Sequence, residues 1–226
     1  MNEVRYYKSF DEDFYQTDKK YTLDKDYEYL PRNTAEKIIS SLAYGVAFLI
    51  SSVYCRIVLG VRFVGAKKLR DEEGAFFLYG NHTQPIGDVF DPALACFPKR
   101  IYTVVSPANL HLPVIGGLLR PLGALPLPDG ISGMKKFNNA IEKRIAEGHP
   151  IVIYPEAHLW DFCTFIRPFG DAAFTYPSKL GVPAYCFTTT YQKRRFGKKP
   201  RITGIAPNAK RMIKRESDSC SCSPCS

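Results

Sequence analysis

Two short apolar runs, each stopping at ionisable residues, constrain this chain more than any other feature. Ala75-Phe76-Phe77-Leu78-Tyr79 leads into Gly80-Asn81-His82, and Ile151-Val152-Ile153-Tyr154 leads into Pro155-Glu156-Ala157-His158. Apolar runs of this length, bounded by turn formers, read as buried strands. A strand that ends in a titratable group delivers it to the carboxyl edge of a sheet, where α/β proteins place their chemistry. Two such strands point to one shared site, because packing would have to account for each separately.

His82 is followed by Asp88, with Pro85 and Gly87 bending the connection, and Asp91 stands three residues further on. A histidine beside a carboxylate is the minimum kit for a general base. The imidazole titrates near neutral pH and takes a proton, while the carboxylate fixes its tautomer. The plainer alternative is a surface histidine and an aspartate capping a helix. Either Asp88 or Asp91 is available as the partner.

The remaining pattern alternates. Strands are expected at Ile57–Val64, Ile101–Val105, Ala124–Leu127 and Ala184–Thr188, with an edge strand over Arg201–Ile205. Helices are expected at Phe90–Phe97, Ser132–Glu147 and Asp171–Leu180, a broken helix or loop at Asn109–Leu119, and a charged turn at Lys67–Gly74. Met134, Phe137, Ile141 and Ile145 recur at helical spacing, and Gly148 supplies a stop. The fold class is therefore α/β: a central, mostly parallel or mixed sheet flanked by helices.

Before the first strand, Ile38–Cys55 is uncharged between Lys37 and Arg56, with Asn33 or Thr34 as N-cap. At 1.5 Å per residue it spans about 27 Å, marginal for a bilayer core. It can span a membrane, lie in the interface or be buried on the domain; a membrane-docking helix is the expectation. The predicted organisation is an irregular arm over 1–31 (with a short helix near Phe10–Gln16), this apolar helix over 32–56, an α/β domain over 57–207, and a basic, then Ser/Cys-rich disordered tail over 208–226.

The 226 residues are 45% hydrophobic and 23% charged, which excludes wholesale disorder. A formal charge of +9 calls for an anionic partner. Its distribution is uneven: residues 1–30 carry eight acids against five bases, whereas Ala172–Arg215 contains no acid. Anionic membrane lipid is the expected partner, and nucleic acid is not, since no nucleic-acid motif accompanies the charge. Cys55, Cys96, Cys163 and Cys186 sit in apolar stretches, and Cys220, Cys222 and Cys225 cluster without a fourth ligand, so neither a disulfide framework nor a metal site is expected. No signal peptide is visible in the polar, acidic N-terminus, so the cytoplasmic side is the expectation.

Asn81-His82 with Asp88, then Tyr154-Pro155-Glu156, Arg167-Pro168-Phe169 and Gly181-Val182-Pro183 resemble, in order, the blocks of the glycerophospholipid acyltransferases of the 1-acylglycerol-3-phosphate acyltransferase type. The resemblance covers roughly Arg56 to Thr190. It departs at three places. Five residues separate His82 from Asp88 where the family has four. Asp129 and His158 stand at or near the positions of the family's two arginines.

The resemblance implies an enzyme of phospholipid biosynthesis that moves a fatty acyl group from a thioester to the hydroxyl of a lysophospholipid or related glycerolipid. It implies acyl-CoA or acyl-carrier protein as donor substrate, no cofactor, and membrane association. In that scheme His82 is the base and Asp88 orients it. Asn81 and Glu156 bind the acceptor, with His158 and Arg167 as anion contacts in place of the missing arginines; Arg120 is a further option. Backbone N–H groups after Asn81 or Glu156 would face the oxyanion, and Trp160 and Phe162 line an acyl groove or simply pack. The departures also leave room for a catalytically inactive, lipid-binding relative.

Overall fold

Apolar runs become the middle of one sheet. The structure is a computed structural model and describes residues 9–10, 21–24, 26–84, 87–113, 116–193 and 209–214. Its strands are β1 (Arg62–Val64), β2 (Phe77–Gly80), β3 (Tyr102–Val105), β4 (Ala124–Pro126), β5 (Ile151–Ile153), β6 (Ala184–Lys193) and β7 (Ala209–Lys214). Their order is β1-β7-β6-β2-β5-β3-β4. From β6 to β4 every pairing is parallel; β7 runs antiparallel to β6 and parallel to β1. Every residue of β2 and β5 is buried. Strands covered on both faces are continuous apolar runs rather than alternating ones.

The two-residue period of β2 divides the core. Phe76 and Leu78 join Val152 in one cluster, while Phe77 and Tyr79 join Ile151 and Ile153 in the other. The first face is covered by α1 (Thr34–Val53), α2 (Ala66–Asp71) and α3 (Gly87–Cys96). The second is covered by α5 (Ile131–Ala146), whose Phe137, Ala140 and Ile141 are buried, by α6 (Thr175–Leu180) and by Tyr29 of the arm. A single turn, α4 (Gly116–Leu119), precedes β4, which forms the sheet edge, as Pro126 allows.

Four sequence-based assignments change. Ile57 and Val58 belong to a π-helical turn, Tyr54–Val58, that continues α1, so the strand expected over Ile57–Val64 shrinks to β1. β-Branched residues read locally as strand, but Cys55 and Leu59 are buried at helical spacing, and Gly60 at φ 63° makes the turn. The charged stretch Lys67–Gly74 begins as α2, because Ala66 and Leu69 bury one side of it. The helix expected over Asp171–Leu180 starts as a 3₁₀ turn, Ala172–Phe174. Residues 209–214, assigned to the tail, form β7 between β1 and β6. The strand expected over Arg201–Ile205, the helix expected past Phe10 and the tail after Lys214 lie outside the described residues.

Asn33 caps α1, its Oδ1 accepting from Glu36 N at 2.9 Å. The helix is anchored lengthwise. Arg120 reaches Glu36 at 3.2 Å, Arg100 donates to Ser40 Oγ at 2.7 Å, and Phe48 stacks on Phe97 at 4.8 Å. Ser51 and Cys55 are buried. The opposite side carries Ile38, Ile39, Leu42, Val46, Leu49, Ile50 and Val53, each more than half exposed, at spacings of one, three and four. Thr34–Ile57 is the one helix among the described residues long and apolar enough to cross a membrane. With 11% of its apolar window buried, it is not a core helix.

Candidate active site

β2 ends at Gly80, where a Cβ would meet the Phe187 ring at 2.2 Å, so the glycine leaves the space that this ring fills. Asn81 then takes over the pairing with its side chain. Its Oδ1 accepts from Thr189 N at 2.7 Å and its Nδ2 donates to Thr189 O at 3.1 Å. That amide is committed to β6 rather than to an acceptor, and Asn81 is buried.

His82 follows. Its Nδ1 lies 2.8 Å from Asp88 Oδ2. The same oxygen accepts from Thr83 N and Gln84 N, both at 2.8 Å. Asp88 is the second residue of α3 and 2% exposed, so the carboxylate folds the chain around itself. Of the two carboxylates available, Asp88 pairs with the imidazole; Asp91 is buried one turn further along α3. Donation from Nδ1 to Asp88 leaves Nε2 as the proton acceptor of a ring that is 25% exposed.

Tyr154, just past β5, holds this pair from the other side. Its ring stacks on His82 with centroids 4.7 Å apart, and its hydroxyl donates to Asp88 O at 2.5 Å. Within a helix that carbonyl would accept from residue 92, but Pro92 has no N–H. The phenol supplies the missing donor. Burial, with Asp88 and Asp91 adding repulsion, holds the Tyr154 hydroxyl well above the ordinary tyrosine value, so it remains a neutral donor.

Glu156 and Arg167 form a buried clamp on the His82 backbone. Glu156 Oε2 accepts from His82 N at 3.1 Å and from Arg167 Nη2 at 2.8 Å, while Oε1 accepts from Arg167 N at 3.0 Å. Arg167 Nη2 also donates to His82 O at 3.3 Å and to His158 O. The connecting loop is tied down further: Trp160 N donates to His82 O at 3.3 Å and Phe162 N to Thr83 O at 2.8 Å. Ala157 and Phe162 have φ of 60° and 59°, left-handed conformations costly for residues with a Cβ.

The site therefore differs from its sequence-based outline. Glu156 and Arg167, expected on substrate, bond each other, the His82 backbone and His158 O, while Arg167 Nη1 is buried without a protein partner among the described residues; both residues are at most 5% exposed. His158 joins the clamp through its backbone. The amides of His82, Thr83, Gln84, Ala157 and His158 all have protein acceptors, so the oxyanion donors expected there are already engaged. Arg120 serves Leu30 O and Glu36, and Asp129 is exposed ahead of α5. Among the described residues, no three His, Cys, Asp or Glu converge on a metal-sized space.

Tyr191 was not foreseen. Its hydroxyl lies 2.5 Å from Thr83 Oγ1 and from Gln84 Nε2, and donates to Thr83 O at 3.2 Å. It bolts the segment after His82 to β6. No local signal marks it, whereas Tyr154 was flagged by its place before Pro155-Glu156.

No family model matches the chain, and no curated protein matches it in sequence. In fold it is similar to the crystal structure of the 1-acyl-sn-glycerophosphate (LPA) acyltransferase PlsC from Thermotoga maritima. The TM-score is 0.51 at 16% identity, over 83% of this chain and 73% of that one. The likeness establishes a shared α/β architecture with an acyltransferase.

Proposed function

We propose that the protein is a membrane-associated O-acyltransferase that transfers a fatty acyl group from acyl-CoA or acyl-carrier protein to the hydroxyl of a lysophospholipid or related glycerolipid. The observation that carries this is the His82–Asp88 pair at the carboxyl edge of the sheet, Nδ1 engaged and Nε2 available. An alcohol is a poor nucleophile at neutral pH, so its proton must leave as it attacks. His82 Nε2 takes that proton while the alcohol oxygen bonds to the thioester carbonyl carbon. The tetrahedral intermediate collapses, the C–S bond breaks, and the thiolate recovers the proton from His82. Asp88 and the Tyr154 ring hold the imidazole, and the Glu156–Arg167 clamp holds the backbone that carries it.

α1 supports a monotopic attachment, lying in the interface rather than spanning it. Its inner side is fastened to the domain from Glu36 to Cys55, and its outer side is an apolar stripe. A helix fixed along a polar domain cannot also be surrounded by lipid.

The test is release of free thiol from the donor in the presence of a panel of lyso-lipids, with the lipid product identified. His82→Ala and Asp88→Asn are expected to lose at least about a hundredfold, the usual contribution of general-base catalysis. Equal rates for wild type and His82→Ala would refute the proposal. The engaged amides favour a second possibility, a lipid-binding relative without turnover; lyso-lipid binding with no thiol release by any donor would establish it.

A further inference from the structure

β6 outlasts its neighbour. β2 stops at Gly80, opposite Phe187, whereas β6 runs on to Lys193. Pairing with β7 keeps those last residues extended, with Thr189 opposite Ile213 and Tyr191 opposite Arg211. Alternate residues of a strand share a face, so Phe187, Thr189 and Tyr191 form one row beside the chain that leaves β2. Each meets that chain at a successive point. The Phe187 ring lies against Gly80 and meets the Tyr154 ring edge-on at 5.9 Å. The Thr189 backbone pairs with the Asn81 amide. The Tyr191 hydroxyl reaches Thr83 and Gln84.

That hydroxyl holds both residues at once. It donates to Thr83 O at 3.2 Å and accepts from Gln84 Nε2 at 2.5 Å. With its one proton so used, it accepts from Thr83 Oγ1, also at 2.5 Å. Its ring meets Phe162 edge-on at 5.6 Å, and Phe162 N donates to the same Thr83 carbonyl. Thr83 and Gln84 are fully buried. They are also the residues whose amides converge with His82 Nδ1 on Asp88 Oδ2. Three donors keep to one oxygen only if the backbone that carries them is fixed, since each must stay within about 2.7–3.2 Å of it.

We propose that Tyr191 is a positioning residue for proton transfer: its hydroxyl fixes Thr83 and Gln84, and through their amides it holds the Asp88 oxygen against His82 Nδ1. A misplacement of about 1 Å at a reacting group costs about a hundredfold in rate. β7 contributes to the site by this route, because it keeps β6 extended as far as Tyr191. The catalytic consequence rests on the function proposed above; the geometric one does not.

Tyr191→Phe keeps the ring and its contact with Phe162 and deletes only the hydroxyl. Thr83→Val, which removes the other hydroxyl of the pair, is the second variant. Thermal melts check that both are folded. The direct readout is the His82 Nδ1 proton, followed by NMR in the full-length protein and assigned by its loss in His82→Ala. Its exchange with solvent is expected to speed at least about tenfold in Tyr191→Phe, and by less in Thr83→Val, as the turn opens locally. Phe137→Leu, a core change on the other face of the sheet, should lower stability and leave that exchange unaltered. Thiol release by Tyr191→Phe should fall about tenfold or more through kcat, with KM for the donor unchanged within about twofold. Wild-type exchange in both variants, or an unchanged kcat in an active enzyme, would overturn the positioning role. Faster exchange in Tyr191→Phe, in a protein that releases no thiol even as wild type, would overturn the proposed function and leave the hold on Asp88 standing.

Discussion

Removing the Tyr154 hydroxyl tests how the His82–Asp88 pair is held. Tyr154→Phe keeps the ring, and so keeps the stack on His82 at 4.7 Å, but deletes the donor to Asp88 O. In most helices the carbonyl would keep its backbone partner. Here the residue four positions on is Pro92, which has no N–H to give. A buried carbonyl left unsatisfied costs about 1–3 kcal/mol. For a domain of this size that is a fall in Tm of about 2–4 °C for each kcal/mol. The decisive measurement is a double-mutant cycle by urea unfolding with Pro92→Ala. Alanine restores an N–H at position 92 that can reach Asp88 O. The cost of Tyr154→Phe should then drop to less than half its value in the parent, and other effects of the proline cancel because both backgrounds are compared. An equal cost in the two backgrounds would show that the hydroxyl does not stand in for the helical hydrogen bond.

Three other outcomes follow from the same geometry. Arg167→Met leaves Glu156 buried and uncompensated and should cost about 3–5 kcal/mol in urea unfolding, while Arg167→Met with Glu156→Gln should recover most of that; a single-variant cost under about 1 kcal/mol would contradict the clamp. Leu42→Glu with Leu49→Glu changes two side chains that are 67% and 66% exposed, so stability should hold, yet vesicle binding should fall at least about tenfold, since burying one leucine is worth about 1.5–3 kcal/mol; unchanged flotation would place the docking surface elsewhere. Tyr102, Tyr154 and Tyr176 are held above the ordinary tyrosine value by burial, and Tyr185 is pushed up to about 12 by burial and by Glu72. Above pH 10 the unfolded chain therefore loses phenolic protons that the folded chain keeps, and the stability they contribute, fully present below pH 10, disappears as pH rises toward 12. The last part of the phenolate absorbance should appear only together with loss of helix; ionisation of all fourteen tyrosines near pH 10 with the helix signal intact would sink this account.

What could be read from the chain depended on sequence distance. Buried β2 and β5, amphipathic α5 and a carboxylate close behind His82 are local patterns, carried by four to sixteen consecutive residues, whereas the choice of Asp88 over Asp91 needed the fold. The convergence of Glu156 and Arg167 on the His82 backbone, and of Tyr191 on Thr83 across 108 residues, follows from the register of β2 against β5 and β6, which no local pattern specifies. Glu156 and Arg167 were singled out as chemically important but assigned to substrate. Their burial, which turns a potential ligand grip into a clamp, appears only once the loop closes over them. Ile57–Val64 failed for the opposite reason, a strong local preference overridden by helical packing at Cys55 and Leu59. Pro92 shows how the two levels meet. Judged locally, a proline six residues into a helix is a fault; in the fold it frees the carbonyl that ties Tyr154 to Asp88, and such local violations concentrate where function constrains structure.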